Sequence, residues 1–285
     1  LSDHNTAIGN GALFTHNQGS STDSYNTAVG SNAGAAVTTG IENTIVGGRA
    51  GDALTTGQEN AVFGQQALSA DTAGNHSTAI GHGALFSQNF STSTDTNNTA
   101  VGFSAGAAIT TGVNNTLLGG FAGDALTDAD FNVAIGVVAL STDTLGSKSI
   151  AIGHNTLNSQ NFTTATDTHN IAIGFQAGTG ITTGVQNTLI GGQAGDALTD
   201  SDFNVAVGYD ALSAETLGAR NVAVGHEALA SQNSTTATTT YNTAVGMNAG
   251  RLVTTGIQNT LVGALAGDAI TDADNNVALG YLALS

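Results

Sequence analysis

The chain has 285 residues and a formal net charge of −17, with only four Lys and Arg residues and no Cys, Pro or Trp. The shortage of cations argues against binding to nucleic acid or anionic lipid, because both depend on clustered Lys and Arg. Without Cys, neither a disulfide framework nor a thiolate metal site can form. No apolar run approaches the ~18 residues of a membrane-spanning helix, and no signal peptide is recognisable. We therefore expect any anchor or secretion signal to lie outside this segment.

A five-residue unit, Asn-x-Ala-Ile/Val-Gly, recurs sixteen times, and 39 residues of the chain are glycine. Successive closing glycines follow a 21-17-17-17 spacing that then starts again, so that Gly9, Gly81, Gly153 and Gly225 occupy equivalent positions. Such a fixed period is typical of stacked repeat architectures. We interpret residues 1–285 as a single β-solenoid of sixteen coils, divided into four superrepeats at 5–76, 77–148, 149–220 and 221–285, the last one truncated.

Within each coil the elements follow one order. The unit itself is rich in β-branched residues and lacks helical periodicity, so it predicts a short strand. Its glycine permits a turn, and an Ala stands three positions later in fifteen coils, with Thr156 as the exception. A further apolar position then predicts a second short extended run in most coils. This position is occupied by Val37, Leu54, Ile109, Leu126, Ile181, Leu198, Val253 and Ile270.

Stacking of these coils would place like residues over one another. Fourteen of the sixteen units begin with Asn, and the two exceptions are Ser77 and Ser149. Stacked Asn side chains form amide ladders that stabilise parallel strands. The sequence therefore predicts an Asn ladder along one corner of the solenoid.

The apolar pairs inside the units predict an interface. Adjacent side chains of a strand point to opposite faces, so of Ala28 and Val29 one faces the interior and the other faces out. In the second coil after Gly9 the pair becomes Ile45 and Val46. Repetition in every coil would leave an apolar stripe on the surface, which normally marks an interface. A closed symmetric oligomer would bury it.

The unit, as in residues 77–84 (Ser-Thr-Ala-Ile-Gly-His-Gly-Ala), resembles the head repeats of YadA-like trimeric autotransporter adhesins. Similar units also occur in bacteriophage tail-fibre proteins. The resemblance covers essentially the whole chain. It implies a left-handed parallel β-roll, three chains around one axis, and a role in attachment.

The longer coils carry four extra residues each, in polar stretches at 14–25, 86–97, 158–169 and 230–241. Polar loops on a rigid scaffold are common recognition sites, although solvated bulges would have the same composition. The candidate recognition residues are Asn17, Asp23, Asn89, Asp95, Asn161, Asp167 and Asn233.

Two other sets of residues could bind metal. His82, His154 and His226 occupy one equivalent position, and three copies around a three-fold axis could converge on an ion; otherwise they are exposed or hydrogen-bonded. Recurrent aspartates could hold Ca²⁺ or could support turns, and turn chemistry is the preferred interpretation. These aspartates are Asp52, Asp124, Asp196 and Asp268, and the pairs Asp128/Asp130, Asp200/Asp202 and Asp272/Asp274. We expect no cofactor.

No nucleophile elbow or phosphate-binding loop is present, so we expect a protein without catalytic activity. The leading hypothesis is an extracellular, homotrimeric attachment fibre at a cell surface or on a virion, with a carbohydrate or protein receptor as partner. The alternatives are a bacteriophage tail-fibre shaft and a purely structural spacer. Ice binding would need an unbroken Thr array, but the Thr column is interrupted by Ala61, Val133, Ile150, Ile171, Val205, Val222 and Val277.

Overall fold

A computed structural model describes residues 4–19 and 23–285 of the chain. These residues form only short strands and turns, and none of them is helical. The chain divides into two compact units, Leu1–Ser147 and Lys148–Ser285, which we call the N-terminal and the C-terminal unit. Each unit is a parallel β-solenoid of eight turns. The prediction of an all-β solenoid is confirmed.

The N-terminal unit contains eight three-residue strands and three two-residue strands. In chain order these are β1 (Thr6–Ile8), β2 (Thr27–Val29), β3 (Thr44–Val46), β4 (Ala61–Phe63), β5 (Gly74–Asn75), β6 (Thr78–Ile80), β7 (Thr94–Asp95), β8 (Thr99–Val101), β9 (Thr116–Leu118), β10 (Val133–Ile135) and β11 (Gly146–Ser147). The three-residue strands form one parallel sheet in the order β1-β2-β3-β4-β6-β8-β9-β10. In addition, β5 pairs with β7.

The C-terminal unit repeats this arrangement. Its strands are β12 (Ile150–Ile152), β13 (Thr166–Asp167), β14 (Ile171–Ile173), β15 (Thr188–Ile190), β16 (Val205–Val207), β17 (Gly218–Ala219), β18 (Val222–Val224), β19 (Thr238–Thr239), β20 (Thr243–Val245), β21 (Thr260–Val262) and β22 (Val277–Leu279). The sheet order of the three-residue strands is β12-β14-β15-β16-β18-β20-β21-β22, and β17 pairs with β19.

The register of the strands follows the sequence period. Ala28 lies opposite Ile45 across one of the shorter coils, and Ala79 lies opposite Ala100 across one of the longer coils. The longer coils thus keep the same register as the shorter ones. Inside each unit, equivalent residues of successive coils therefore lie over one another on successive rungs, as predicted.

Each three-residue strand of the inner coils buries its middle side chain. Ala28 and Ile45 are fully buried, whereas the residues before and after them are partly exposed. The first and third residues of each strand therefore line the outer surface of the sheet. We call this surface the outward face.

The prediction of two extended runs per coil is wrong for most coils. Val37 and Leu54 are fully buried, but neither lies in a strand. The segment before them is a chain of turns, because the residues two and four positions after the closing glycine adopt a left-handed conformation. In one coil these are Asn32 (φ 57°) and Gly34 (φ 56°). Among the described residues, two-residue strands occur only in the coils that carry the extra residues and in the coils just before them.

The closing glycines are required by a close contact between rungs. Gly30 has a φ of +141°, and a Cβ atom added to it would lie 2.4 Å from the carbonyl oxygen of Gly47 on the next rung. A side chain at this position would meet both a disfavoured backbone conformation and a steric clash. The glycine column thus allows the coils to stack closely.

The predicted Asn ladder is confirmed, and it lies inside the solenoid. Asn43 is fully buried. Its Nδ2 donates to the carbonyl oxygen of Gly57 at 2.9 Å, and its backbone nitrogen donates to Oδ1 of Asn26 at 3.0 Å. Asn60 repeats both contacts one rung further on. The ladder satisfies buried backbone groups that the turns leave without strand partners.

The core contains two kinds of rung. We number the four coils of each superrepeat in chain order. Coils 2 and 3 have Gly at the fourth position after the closing glycine and an apolar residue at the seventh, as in Gly106 and Ile109. A Cβ on Gly106 would lie 2.7 Å from Leu117 Cδ1, so glycine leaves room for the large core side chains. We call these the apolar rungs.

Coils 4 and 1 reverse this pattern. They have Leu at the fourth position and a polar residue at the seventh, as in Leu68 with Asp71 and Leu85 with Gln88, and all four side chains are fully buried. We call these the polar rungs. Each complete four-coil superrepeat therefore has a polar rung at either end and two apolar rungs between them.

Candidate functional site

The extra residues of the longer coils form the insertion loops: residues 14–25, 86–97, 158–169 and 230–241, of which 20–22 lie outside the described residues. Each loop has a buried and an exposed part. In the second loop, Gln88 is fully buried and Phe90 is 8% exposed, whereas Ser91, Thr92 and Ser93 are exposed. The loop is therefore anchored in the core at its base and displays hydroxyl side chains at its tip.

A buried carboxylate on the preceding rung holds the base of the second loop. Oδ1 of Asp71 accepts hydrogen bonds from the backbone nitrogens of Gly74 (3.1 Å) and Phe90 (3.0 Å), and Oδ2 accepts one from Gln88 Nε2 at 2.6 Å. Gln88 in turn accepts a hydrogen bond from Nδ2 of Asn98 at 2.9 Å. It thereby continues the Asn ladder past Ser77, where the Asn is missing.

At the base of the last insertion loop, Glu215 takes the place that Asp71 has at the second loop. Oε1 of Glu215 accepts hydrogen bonds from the backbone nitrogens of Gly218 (2.7 Å) and Ser234 (2.9 Å), and its Oε2 accepts one from Gln232 Nε2 at 2.8 Å. Glu215 is fully buried. All of these donors are neutral N–H groups, and hydrogen bonds of this kind stabilise a buried carboxylate in place of water.

Our sequence interpretation did not single out these buried acids. Asp71, Asp143 and Glu215 stand seven positions after their closing glycine, where the apolar rungs have Val, Ile or Leu. This polar exception recurs in every fourth coil, and a glutamine follows it one coil later. That recurrence was the signal that could have identified the acids. The glutamines are Gln88, Gln160 and Gln232.

The predicted recognition aspartates are exposed, but each lies close to a basic side chain. Asp23 Oδ1 lies 3.7 Å from His4 Nε2, and Asp95 Oδ1 lies 3.5 Å from His76 Nδ1. Lys148 Nζ lies 2.5 Å from Asp167 Oδ2. The basic residue stands in each case at the corner just before the first unit of the superrepeat. The far end of each of these loops therefore lies against a corner residue of the scaffold.

The predicted recognition asparagines occupy one equivalent place in the four loops. The backbone nitrogen of each donates to a Thr carbonyl oxygen of the next coil, at 2.9 to 3.0 Å. They are Asn17, Asn89, Asn161 and Asn233. The structure does not bring them together in one site, because each loop belongs to a different superrepeat.

The outward face is free of charge. Its first column contains Thr, Val, Ile and Ala, and its third column contains only Val, Ile, Leu and Phe. In the sixteen described three-residue strands, no position of these two columns is Asp, Glu, Lys, Arg or His. Phe63 and Ile80 are 39% and 38% exposed, respectively. The predicted apolar stripe is therefore confirmed.

The histidines that we considered as metal ligands lie in aromatic stacks. The His82 ring lies 5.3 Å from that of Phe103 with an interplanar angle of 11°, and His154 and Phe175 have the same arrangement at 5.6 Å. His226 stacks on Tyr209 at 5.7 Å. Neighbouring rungs thus pair these rings, a contact that the sequence interpretation did not predict.

The recurrent aspartates fall into two environments. Asp130 Oδ1 accepts a hydrogen bond from the backbone nitrogen of Val113 at 2.7 Å, and Asp202 and Asp274 make the equivalent bond. By contrast, Oδ1 of Asp124 is buried without a hydrogen-bond partner, and desolvation raises the pKa of this carboxyl above its ordinary value. Asp52 and Asp196 share both properties. In residues 4–19 and 23–285, no three His, Asp or Glu side chains form a group that could hold a metal.

No described segment forms a helix long and apolar enough to cross a membrane. Comparisons with protein-family models, curated proteins and solved structures find no match to this chain.

Proposed function

We propose that the chain is a non-enzymatic segment of an extracellular attachment fibre, in which three copies pack through their outward faces and display the insertion loops to a receptor. The coils would wind left-handed, as the resemblance to trimeric adhesin heads implies. The fibre would belong to a cell surface or to a virion appendage. A carbohydrate or protein on the target surface would be the ligand of the loops.

The observation that supports the proposal best is the uncharged outward face. The chain carries a net charge of −17, so two copies repel each other wherever their acids come close. The sheet surface avoids this repulsion, and its third column offers Val, Ile, Leu and Phe side chains for burial. Burial of such apolar surface drives most protein association. A second copy of this chain is therefore the partner that the face fits.

The test is the solution mass of the 285-residue chain by light scattering, with two matched variants. Ile135→Asp introduces a charge on the outward face, and Phe131→Asp introduces the same charge at an exposed corner position outside it. We expect three chain masses for the unaltered protein and for Phe131→Asp, but a monomer for Ile135→Asp, because a carboxylate in an apolar interface is strongly disfavoured. A monomeric unaltered chain, or an Ile135→Asp variant that assembles normally, would contradict the proposal.

Receptor binding by the loops is separable from a role as a spacer. Removal of residues 77–148 deletes one superrepeat and one insertion loop. An attachment segment should lose avidity for its target because it loses a binding site, whereas a spacer should become shorter and bind as before. Binding of both chains to target cells distinguishes these outcomes.

A further inference from the structure

Three of the four insertion loops carry the tripeptide Asn-x-Ser/Thr at the same register. These tripeptides are Asn-Phe-Ser at 89–91, Asn-Phe-Thr at 161–163 and Asn-Ser-Thr at 233–235. Asn-x-Ser/Thr, with a middle residue other than Pro, is the acceptor sequence for N-linked glycosylation. The first loop has Asn17-Gln18-Gly19 instead and lacks the hydroxyl residue.

The loops present these asparagines in an orientation that suits modification. Asn89 and Asn233 are exposed, and Asn161 is partly exposed. Oδ1 of Asn89 accepts a hydrogen bond from Thr72 Oγ1 at 3.3 Å, and Oδ1 of Asn233 accepts one from Thr216 Oγ1 at 3.1 Å. Within residues 4–19 and 23–285, Nδ2 of neither Asn89 nor Asn233 donates a hydrogen bond. The acceptor nitrogen of these two side chains is therefore not needed by the fold.

The other three Asn-x-Ser/Thr tripeptides of the chain begin at Asn75, Asn97 and Asn114, and none of them recurs in another superrepeat. Asn75 is 8% exposed, and its Nδ2 donates to Ser93 Oγ at 3.0 Å and to Asp95 Oδ1 at 3.2 Å. Nδ2 of Asn97 donates to Oδ1 of Asn114 at 3.3 Å. A sugar on Asn75 would break these partly buried hydrogen bonds, whereas a sugar on Asn89, Asn161 or Asn233 would extend into solvent.

We propose that Asn89, Asn161 and Asn233 are acceptor sites for an N-linked sugar, an inference that rests on the proposed extracellular placement. The donor would be a sugar diphosphate, carried on a lipid or a nucleotide. The asparagine Nδ2 forms a bond to C1 of the sugar while the bond from C1 to the diphosphate breaks. The diphosphate leaves, and a base of the transferase accepts the proton that Nδ2 loses. Each of these three loops would then carry one sugar.

The test uses the chain recovered from the cells that make it, separated into surface and internal fractions. Enzymatic removal of N-linked sugars converts each modified Asn into Asp, which mass spectrometry of the peptides detects. We expect conversion at residues 89, 161 and 233 and none at Asn75. The variants Ser91→Ala, Thr163→Ala and Thr235→Ala keep the asparagine, and each should lose the sugar at its own loop only. Thr92→Ala, which changes the residue just after the tripeptide 89–91, is the control and should keep the sugars at all three loops.

Unmodified asparagines in all three loops of surface-exposed protein would overturn this inference and leave the proposed fibre standing. Modification of Asn75 to the same extent as the loops would also overturn it, because the folded geometry would then have no influence. Modified loops on a chain that stays monomeric would support the inference and contradict the proposed assembly.

Discussion

Gln88 donates a 2.6 Å hydrogen bond from Nε2 to Oδ2 of Asp71 on the preceding rung, and both side chains are fully buried. This contact joins the scaffold to the insertion loop, because Asp71 also accepts the backbone N–H of Phe90 and Gln88 continues the Asn ladder through Asn98. Asp71 and Gln88 thus anchor the loop at the point where it leaves the solenoid. The loop and the core of the polar rungs are one structural element.

Removal of the acid should therefore destabilise the solenoid. Asp71→Ala leaves three buried N–H donors without an acceptor, each at about 1–3 kcal/mol, so we expect a loss of about 3 kcal/mol or more in urea unfolding. Gln88→Ala should also destabilise, and the double variant should lose less than the sum of the two because the side chains interact directly. Asp95→Ala is the exposed control and should change stability by less than about 1 kcal/mol. Strict additivity of the two buried substitutions would contradict the coupling.

Removal of a single Asn side chain from the ladder should strongly lower the stability of the solenoid. Asn115→Ala removes the donor to the carbonyl oxygen of Ala129 and the acceptor for the backbone nitrogen of Asn132. With two buried backbone groups unsatisfied, we expect a loss of about 2–4 kcal/mol. Asn114→Gly, one position earlier at a φ of 59°, should have little effect because glycine adopts this conformation readily. Equal stabilities of the two variants in chemical denaturation would show that the ladder contributes nothing.

The adjacent residues Gly119 and Gly120 allow a test of the close stacking between coils. A Cβ at Gly119 would lie 2.4 Å from the carbonyl oxygen of Gly136 at a φ of +138°, whereas a Cβ at Gly120 would have nothing within 4 Å. Gly119→Ala should prevent folding of the rung. Gly120→Ala should be tolerated and should stabilise by about 0.4–1 kcal/mol through the unfolded state. Circular dichroism and thermal melting of both variants check this, and a folded Gly119→Ala protein would contradict the close stacking.

Asp124 should make the chain less stable as pH rises. Its folded pKa is raised above the ordinary 3.8 by desolvation, so the folded state binds more protons than the unfolded state between these two values. Stability then falls as pH increases through this window. Asp124→Asn should remove that fall and should be more stable than the unaltered chain at neutral pH. Urea midpoints of both proteins across the acidic range measure the difference, and identical pH profiles would refute it.

The repeat period was enough to predict the stacking of rungs, the opposite orientation of Ala28 and Val29, and the ladder that includes Asn26. All three follow from a fixed spacing and from the two-residue alternation of a strand. The local fold of the turns was not predictable in the same way. Val37 was assigned to a second extended run, but left-handed residues such as Asn32 shorten the path around each coil.

The loops show why site prediction was only partly successful. The polar composition of residues 86–97 indicated a surface loop, and Asn89 and Asp95 do reach the surface. The pairing of Asp95 with His76 depends on a contact between two coils that no local pattern encodes. The role of Asp71 was missed because, within its own coil, an acid near a Gly-containing turn resembles an ordinary turn residue.

The alternation of apolar and polar rungs restricts how such an array can change in length. Loss of the coil that carries the glutamine, or gain of an apolar coil just before it, would separate the carboxylate of Asp71 or Glu215 from its hydrogen-bond donor, at a free-energy penalty that a marginally stable fold does not tolerate. Loss or gain of a whole superrepeat restores every neighbour. Duplication and deletion in the gene should therefore persist where they keep each acid beside its glutamine, as a change by a whole four-coil block does.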